Sequence, residues 1–492
     1  MGALQKLFKH TFIYGLATVL PRLLSFVLTR LYTDKLPTED YGIYAALFVY
    51  LMIGNVVLSY GMETAFFRFM NKDQSKEKVQ STALVSILMS AIAFLVGAYI
   101  LKDFLAALLE FDVKFVVYGI CILFLDALCI IPFAWMRNKE MPLRYSYIKI
   151  FNVGVNLGLN LFFFLALAQV LASSTFFDSW HWIVFDNKVH YIFIANVVAS
   201  LVTFLTVLPL YFKIGLSFDL AIWKKMLRYA IPVLFAGVAY TVNEGFDKIL
   251  LKYLLPENIA EQTVGIYAAC YKLGAFMTLF VTAFKLGVEP FFFSHANSKN
   301  SKAIYADTTL YFTIFGTFIF LFVVAYSEVF KLVLIPNPAY WEALWIVPFI
   351  LLANLCLGIY HNLSVWYKIT DRTSYGAYIS IFGALVTLGL NFLLIPLISF
   401  KGSAIATLVA YTAMMLISYY YGQKNHPIPY NLKKIGSYLG VSIVFSVLSF
   451  YVFDRNLIVG TLFVLVFLVL IYKLENQELK RIFKSLRSGK QS

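Results

Sequence analysis

Charge is scarce in this sequence of 492 residues. Asp, Glu, Lys and Arg make up 13% of it and hydrophobic residues 61%, whereas a soluble chain carries about a quarter charged residues. Cysteine is scarcer still. Cys121, Cys129, Cys270 and Cys356 show no CxxC or metal-ligand spacing, so neither a disulfide framework nor a metal site is expected, and the thiols read as buried structural residues within helices. The sequence also lacks GxxxxGK[ST], HExxH and GxSxG. Nucleotide hydrolysis, zinc hydrolysis and serine acyl transfer therefore have no motif to rest on, and no cofactor is expected.

What the chain has instead is long apolar runs, many of eighteen residues or more, enough to cross a hydrocarbon core about 30 Å thick. They predict helices over roughly 11–32, 42–60, 81–101, 114–134, 146–169, 190–212, 229–251, 265–288, 304–326, 342–366, 376–397, 403–421, 435–453 and 457–473. No period-2 barrel pattern occurs, so the fold class is an all-α polytopic membrane protein of about 14 spans. The 48 Phe and 33 Tyr suit lipid-facing surface and interfacial belts. The net charge of +14 does not point to nucleic acid, because the basic residues gather in alternate loops. With both termini cytoplasmic, 26 of the 40 Lys and Arg fall on that side, 9 outside and 5 within spans. Lys6, Lys9 and His10 precede an apolar run that continues to about Tyr32 without a small-residue cleavage site, so it reads as a retained first helix. The basic tail from Leu479 to Arg487 reads as a solvated positive-inside segment.

The chain repeats itself. Gly42-Ile43-Tyr44-Ala45-Ala46 recurs as Gly265-Ile266-Tyr267-Ala268-Ala269, each copy following a Leu-Pro loop (Leu36-Pro37, Leu255-Pro256). Trp135–Asn160 aligns without a gap on Trp366–Asn391, with ten identities that include Leu157-Gly158-Leu159-Asn160 against Leu388-Gly389-Leu390-Asn391. Ile194-Ala195 and Val198-Ala199 match Ile405-Ala406 and Val409-Ala410. All three matches pair helix n with helix n+6. The repeat is therefore parallel, its pseudo-two-fold axis lies along the membrane normal, and two six-helix lobes enclose a cleft. The expected domains are residues 1–212 and 213–421 for the lobes, 422–473 for helices 13 and 14, and 474–492 for a basic tail.

Polar residues form stripes along several helices. In helix 1, Thr11, Thr18, Arg22, Ser25 and Thr29 share a face. An arginine near mid-span costs roughly 2.5–3.5 kcal/mol and needs a wet cavity or a partner such as Asp126. Helix 8 carries Tyr271, Gly274, Thr278, Thr282, Lys285 and Glu289 on one face, and the repeat aligns Thr278 and Thr282 with Asn55 and Ser59 of helix 2. Lys272 lies about 100° from that face. Asn152, Asn156 and Asn160 read as interhelical hydrogen-bonding residues, and Lys149 beside them is placed to snorkel to the cytoplasm. Glu244 and Lys248 have the spacing of an ion pair. Asp126 and Glu244 are the acids expected furthest inside, as coupling sites or structural groups. His181 reads as an interfacial residue.

Pro21-Arg22 in helix 1, the loop Leu36-Pro37-Thr38-Glu39-Asp40-Tyr41-Gly42-Ile43-Tyr44 and Lys401-Gly402-Ser403-Ala404-Ile405-Ala406-Thr407 resemble the polysaccharide-biosynthesis (O-antigen/exopolysaccharide) lipid flippases of the multidrug/oligosaccharidyl-lipid/polysaccharide exporter superfamily. The resemblance implies a monomeric transporter in the bacterial cytoplasmic (inner) membrane. Its cargo would be a lipid-linked oligosaccharide on undecaprenyl diphosphate, moved outward by alternating access for cell-surface polysaccharide synthesis, with polymerase and glycosyltransferases as partners. Arg22, Lys272 and Lys285 would line its cationic path, with Asn55, Ser59, Thr278 and Thr282 as polar lining, and H+ or Na+ would be the coupling ion. No carboxylate stands inside helix 1 where the multidrug branch has its cation site. A peptidoglycan-precursor flippase, a multidrug/cation antiporter and, from another class, a membrane-bound glycosyltransferase or polymerase are the competing readings.

Overall fold

The computed structural model describes residues 20–487 apart from 22, 73–74, 168, 170–183, 295–297, 299 and 371. These are helices and connecting turns, with no strand among the described residues. Twelve helices among them are long and apolar enough to span a bilayer. Two of the expected fourteen spans are not in that set. The first is only partly described, as α1, residues 23–35. The second, 229–251, lies inside a 35-residue helix from Leu220 to Leu254 whose Asn243, Glu244, Asp247, Lys248 and Lys252 interrupt the apolar run. Backbone hydrogen bonding inside each helix is what lets these segments sit in hydrocarbon at all.

The chain divides into two compact units. The first comprises residues 1–269, 337–342 and 380–406. Its helices are α1, α2 (Thr38–Ser59), α3 (Met62–Lys72), α4 (Lys76–Ile100), α5 (Lys102–Leu109), α6 (Val113–Asn138), α7 (Pro142–Leu161), α8 (Val189–Ile214), α9 (Leu220–Leu254), the start of α10 (Glu257–Ser294) and, later in the chain, parts of Ser374–Ile398 and Phe400–Asn425. α6 packs on α4 and α8, α8 packs on α7, and α9 lies against α2 and α3. Asp112 and Asp219 start α6 and α9 by accepting hydrogen bonds from the first free backbone amides. α2 ends at Tyr60 and Gly61, both left-handed. A side chain on Gly61 would also run into the Ala230 carbonyl of α9, so the turn needs glycine twice over.

Buried asparagines tie this unit together at equivalent points of the repeat. Asn160 donates to the Asn156 carbonyl one turn back (2.8 Å) and accepts from the Tyr32 hydroxyl (2.9 Å). Asn391 donates to the Thr387 carbonyl (2.7 Å) and accepts from the Ser403 hydroxyl (2.8 Å). In a membrane interior such bonds replace the hydrophobic drive that lipid removes.

The second unit comprises residues 270–336, 343–379 and 407–492. Its centre is a helix, Ser301–Ala325, packed on Val347–Leu363, Leu432–Val447 and Leu457–Arg487. Leu310, Ile314, Leu321, Tyr438, Val464 and Phe467 form one buried cluster there. The last two of these helices are pinned together by Glu475, which is buried and accepts from the Lys434 ammonium (2.8 and 3.0 Å) and the Tyr438 hydroxyl (3.0 Å).

Candidate functional site

The first unit holds a cavity of about 750 Å³, walled by α2, α3, α6, α7 and α8, within the size range of small-molecule sites. Each helix brings a polar face to it. α8 supplies Asn196, Ser200 and Thr203, spaced i, i+4 and i+7 so that they share one face. α7 supplies Tyr145, Lys149 and Asn152, α6 supplies Asp126 and Arg137, α2 supplies Asn55 and α3 supplies Glu63. Apolar Phe48, Leu51, Met52, Ile122, Ile130 and Phe133 fill the spaces between them.

Two charge pairs lie in this wall. Asp126 accepts a hydrogen bond from the Ser200 hydroxyl at 2.8 Å, and Lys149 and Asn55 lie within electrostatic reach of the same carboxylate. The Lys149 ammonium sits 4.2 Å from the centre of the Phe133 ring, a favourable place for a cation. At one end of the cavity Glu63 and Arg137 form an ion pair. The guanidinium also stands 4.9 Å from the Phe67 ring centre, and its Nε has no hydrogen-bond partner among the described residues. Two acids and two bases share the wall, so fixed charge in the cavity balances. Asn152 donates to Thr203 (2.8 Å) and to the Ala199 carbonyl (3.0 Å), which holds α7 on α8 and fixes the polar face between them.

The sequence-derived candidates are distributed unevenly. Asn55 and Asp126 come together in this cavity. Ser59, one turn from Asn55, turns its hydroxyl back to the Val56 carbonyl (2.9 Å) and is not part of the wall. Lys149 does not snorkel: it points into the cavity towards Asp126. Glu244 is half-buried on α9, where Lys248 makes a 2.9 Å ion pair with its neighbour Asp247. Asp247 is itself an interior acid that the sequence reading did not single out. It is buried, and the Tyr267 hydroxyl donates to it at 2.5 Å. Lys272, Thr278 and Thr282 lie half-buried on the part of α10 that belongs to the second unit. Lys285 lines a water-sized void of about 10 Å³ in that unit, with His361, Asn362 and Lys368. Arg22, His181 and the side chain of Glu289 lie outside the described residues.

Six polar cavity residues had escaped the sequence reading as site candidates: Glu63, Arg137, Tyr145, Asn196, Ser200 and Thr203. A helical wheel of α8 carries the signal for the last three, since their spacing matches the stripes noted in helices 1 and 8. Arg137 sits in a stretch that reads as an ordinary positive-inside loop.

The comparisons with known proteins fit this architecture. The sequence model of a family described as "Polysaccharide biosynthesis protein" matches residues 7–294. No curated protein matches the chain in sequence. Among solved structures, the lipid II flippase MurJ in an inward closed conformation superposes with a TM-score of 0.72 at 13% identity, covering 94% of this chain and 99% of that one. A multidrug resistance MATE family transporter of the MOP superfamily, in its inward-facing conformation, superposes with a TM-score of 0.64 at 12% identity, covering 85% and 96%. The outward-facing conformation of a transporter with the same description gives 0.58 at 12%, covering 87% and 96%. At such identities the likeness is one of fold, and the fold is shared with transporters.

Proposed function

The chain belongs to the polysaccharide biosynthesis protein family, and from that premise we propose that it flips an undecaprenyl-diphosphate-linked oligosaccharide from the inner to the outer leaflet of the bacterial cytoplasmic membrane. The observation that carries the reading is a polar cavity of about 750 Å³ inside a unit built of membrane-spanning helices. A glycan is rich in hydroxyls and needs donors and acceptors of the kind that Asn55, Asn152, Asn196, Ser200 and Thr203 supply. The diphosphate needs cationic partners when it leaves water, and Arg22, Lys272 and Lys285 take that role in this proposal. Asp126, with Lys149 beside it, is the proposed site at which a coupling ion, H+ or Na+, is taken up. The basic-loop alternation supports a cytoplasmic side for both termini in this reading. A polymerase and glycosyltransferases are the proposed neighbours of a monomeric transporter.

The likeness to a lipid II flippase favours one second reading, a peptidoglycan-precursor flippase. A cation antiporter is less favoured, because the cavity acids already face Lys149 and Arg137 and leave no net negative charge for a cationic drug. The test uses cells carrying Arg22→Ala. Surface glycan should disappear and the lipid-linked precursor should build up in the inner leaflet, with the protein still inserted at normal level. Unimpaired glycan export would overturn the assignment. Loss of wall precursor export alone would favour the second reading.

A further inference from the structure

The two copies of the Gly-Ile-Tyr-Ala-Ala segment do more than reveal a repeat: they touch each other. At Gly42 of α2, an added Cβ would collide with the Glu261 carbonyl and stand 3.1 Å from the Gly265 amide nitrogen. At Gly265 of α10, it would collide with the Thr38 carbonyl and stand 3.0 Å from the Gly42 amide nitrogen. Thr38 and Glu261 each precede their own glycine by four residues. The contact is therefore self-complementary, as a two-fold axis between the copies requires, and only glycine on both sides allows backbones this close. All four residues belong to the first unit.

Polar and aromatic contacts close in around the crossing. Tyr340 is fully buried, and its hydroxyl donates to both the Leu36 and Pro37 carbonyls at 2.9 Å. Its ring meets the ring of Tyr41 edge-on at 5.6 Å. Tyr41 packs on Tyr44, and Tyr44 on Phe48, the last at 4.7 Å between ring centres. Phe48 is a wall residue of the cavity. A continuous path of packed rings thus runs from the glycine crossing to the cavity.

We propose that the Gly42–Gly265 crossing is the outer latch of the transport cycle. The two helices meet there when the cavity is shut off from the outer face, and they part there when cargo leaves. The latch rests on the transport reading and on the orientation inferred from the basic loops. It does not depend on which cargo is carried.

The test places a cysteine at Asn196, inside the cavity, in a chain whose four native cysteines are replaced by serine. A membrane-impermeant maleimide is then added from outside. Gly42→Ala and Gly265→Ala should each speed labelling at least fivefold, since the added methyl holds the helices apart. Gly158→Ala, where an added Cβ meets nothing within 4 Å, should leave the rate unchanged. Tyr340→Phe keeps the ring and removes the hydroxyl that the Leu36 and Pro37 carbonyls share, so it should speed labelling by a smaller factor in a chain that still folds. Wild-type labelling rates in both glycine variants and in Tyr340→Phe, with normal insertion, would overturn the latch. Fast labelling in these variants together with unimpaired glycan export in Arg22→Ala would keep the latch and remove the proposed cargo.

Discussion

Asp126 and Lys149 are a half-buried acid and base, within electrostatic reach of each other, that share a cavity wall with Asn55 and Ser200, and their value to the protein depends on whether the pair is structural or works in transport. Removing one partner of a buried pair leaves the other uncompensated, a cost of about 3–5 kcal/mol where burial is complete. Asp126→Asn keeps an acceptor for Ser200 and removes the charge. If Asp126 takes up a coupling ion, this variant should fold and insert normally, lose at least tenfold in flipping rate, and lose the dependence of that rate on the ion gradient. If the pair is structural, the same variant should fail first in thermal stability, with Lys149→Met beside it restoring part of the loss. His426 gives a second prediction at this scale. It lies in a loop, its Nε2 has no partner among the described residues, and burial and then Lys302 pull its pKa below the ordinary histidine range. The folded chain therefore holds this proton less well than the unfolded one. The contribution of His426 is complete above the ordinary histidine pKa and is lost as pH falls through the lowered one. Thermal midpoints in detergent should decline from pH 7 towards pH 5, and His426→Gln should flatten part of that slope.

Helices were the most legible level in the sequence, because length and apolarity are local properties. Partners across helices were less so. The Gly-Ile-Tyr-Ala-Ala repeat can be read from letters alone, but that its two glycines meet is a fact about two helix axes. Likewise Lys149, read as a snorkelling cation, turns inward because α7 packs on α8 through Asn152 and so aims that face at Asp126. A helical wheel gives the angle between residues on one helix and says nothing of which neighbour stands opposite. Asp247 was hidden for a related reason: the i,i+4 spacing of Glu244 and Lys248 drew attention away from the acid between them, which Tyr267 and Lys248 engage. At this scale the clearest stability prediction concerns the pin between Leu432–Val447 and Leu457–Arg487. Glu475 is buried while Lys434 is more than a third exposed, so solvent screens part of the attraction. Lys434→Ala should still cost about 1–3 kcal/mol, because the carboxylate stays buried and, among the described residues, keeps only Tyr438 as a donor. Glu475→Gln should cost less, and heat inactivation of the two variants in detergent should rank them in that order.

For the whole molecule, everything said about inside and outside hangs on the parity of the span count. Twelve described helices satisfy length and hydropathy, and α9 falls short because Asn243, Glu244, Asp247, Lys248 and Lys252 dilute it. Those groups do not face lipid unpaired. Asn243 is bonded to the Ser380 carbonyl and to Thr387, Asp247 to Tyr267 and Lys248, and Lys252 to the carbonyls of Leu109 and Glu110 at 2.7 and 2.9 Å. Polar groups satisfied in this way are tolerated in a spanning helix. Single exposed cysteines test the point. With α9 across the membrane, Asp186→Cys and Ala339→Cys lie on the outer face, and Glu140→Cys and Thr373→Cys on the inner. An impermeant thiol reagent should then label the first two in intact cells and the second two only after the membrane is opened. If α9 does not cross, Ala339→Cys and Thr373→Cys exchange sides while Asp186→Cys and Glu140→Cys stay where they are. That exchange would break the parallel relation between the repeats and would remove the latch and the outward direction of transport together. The four labelling results therefore come before any assay of flipping.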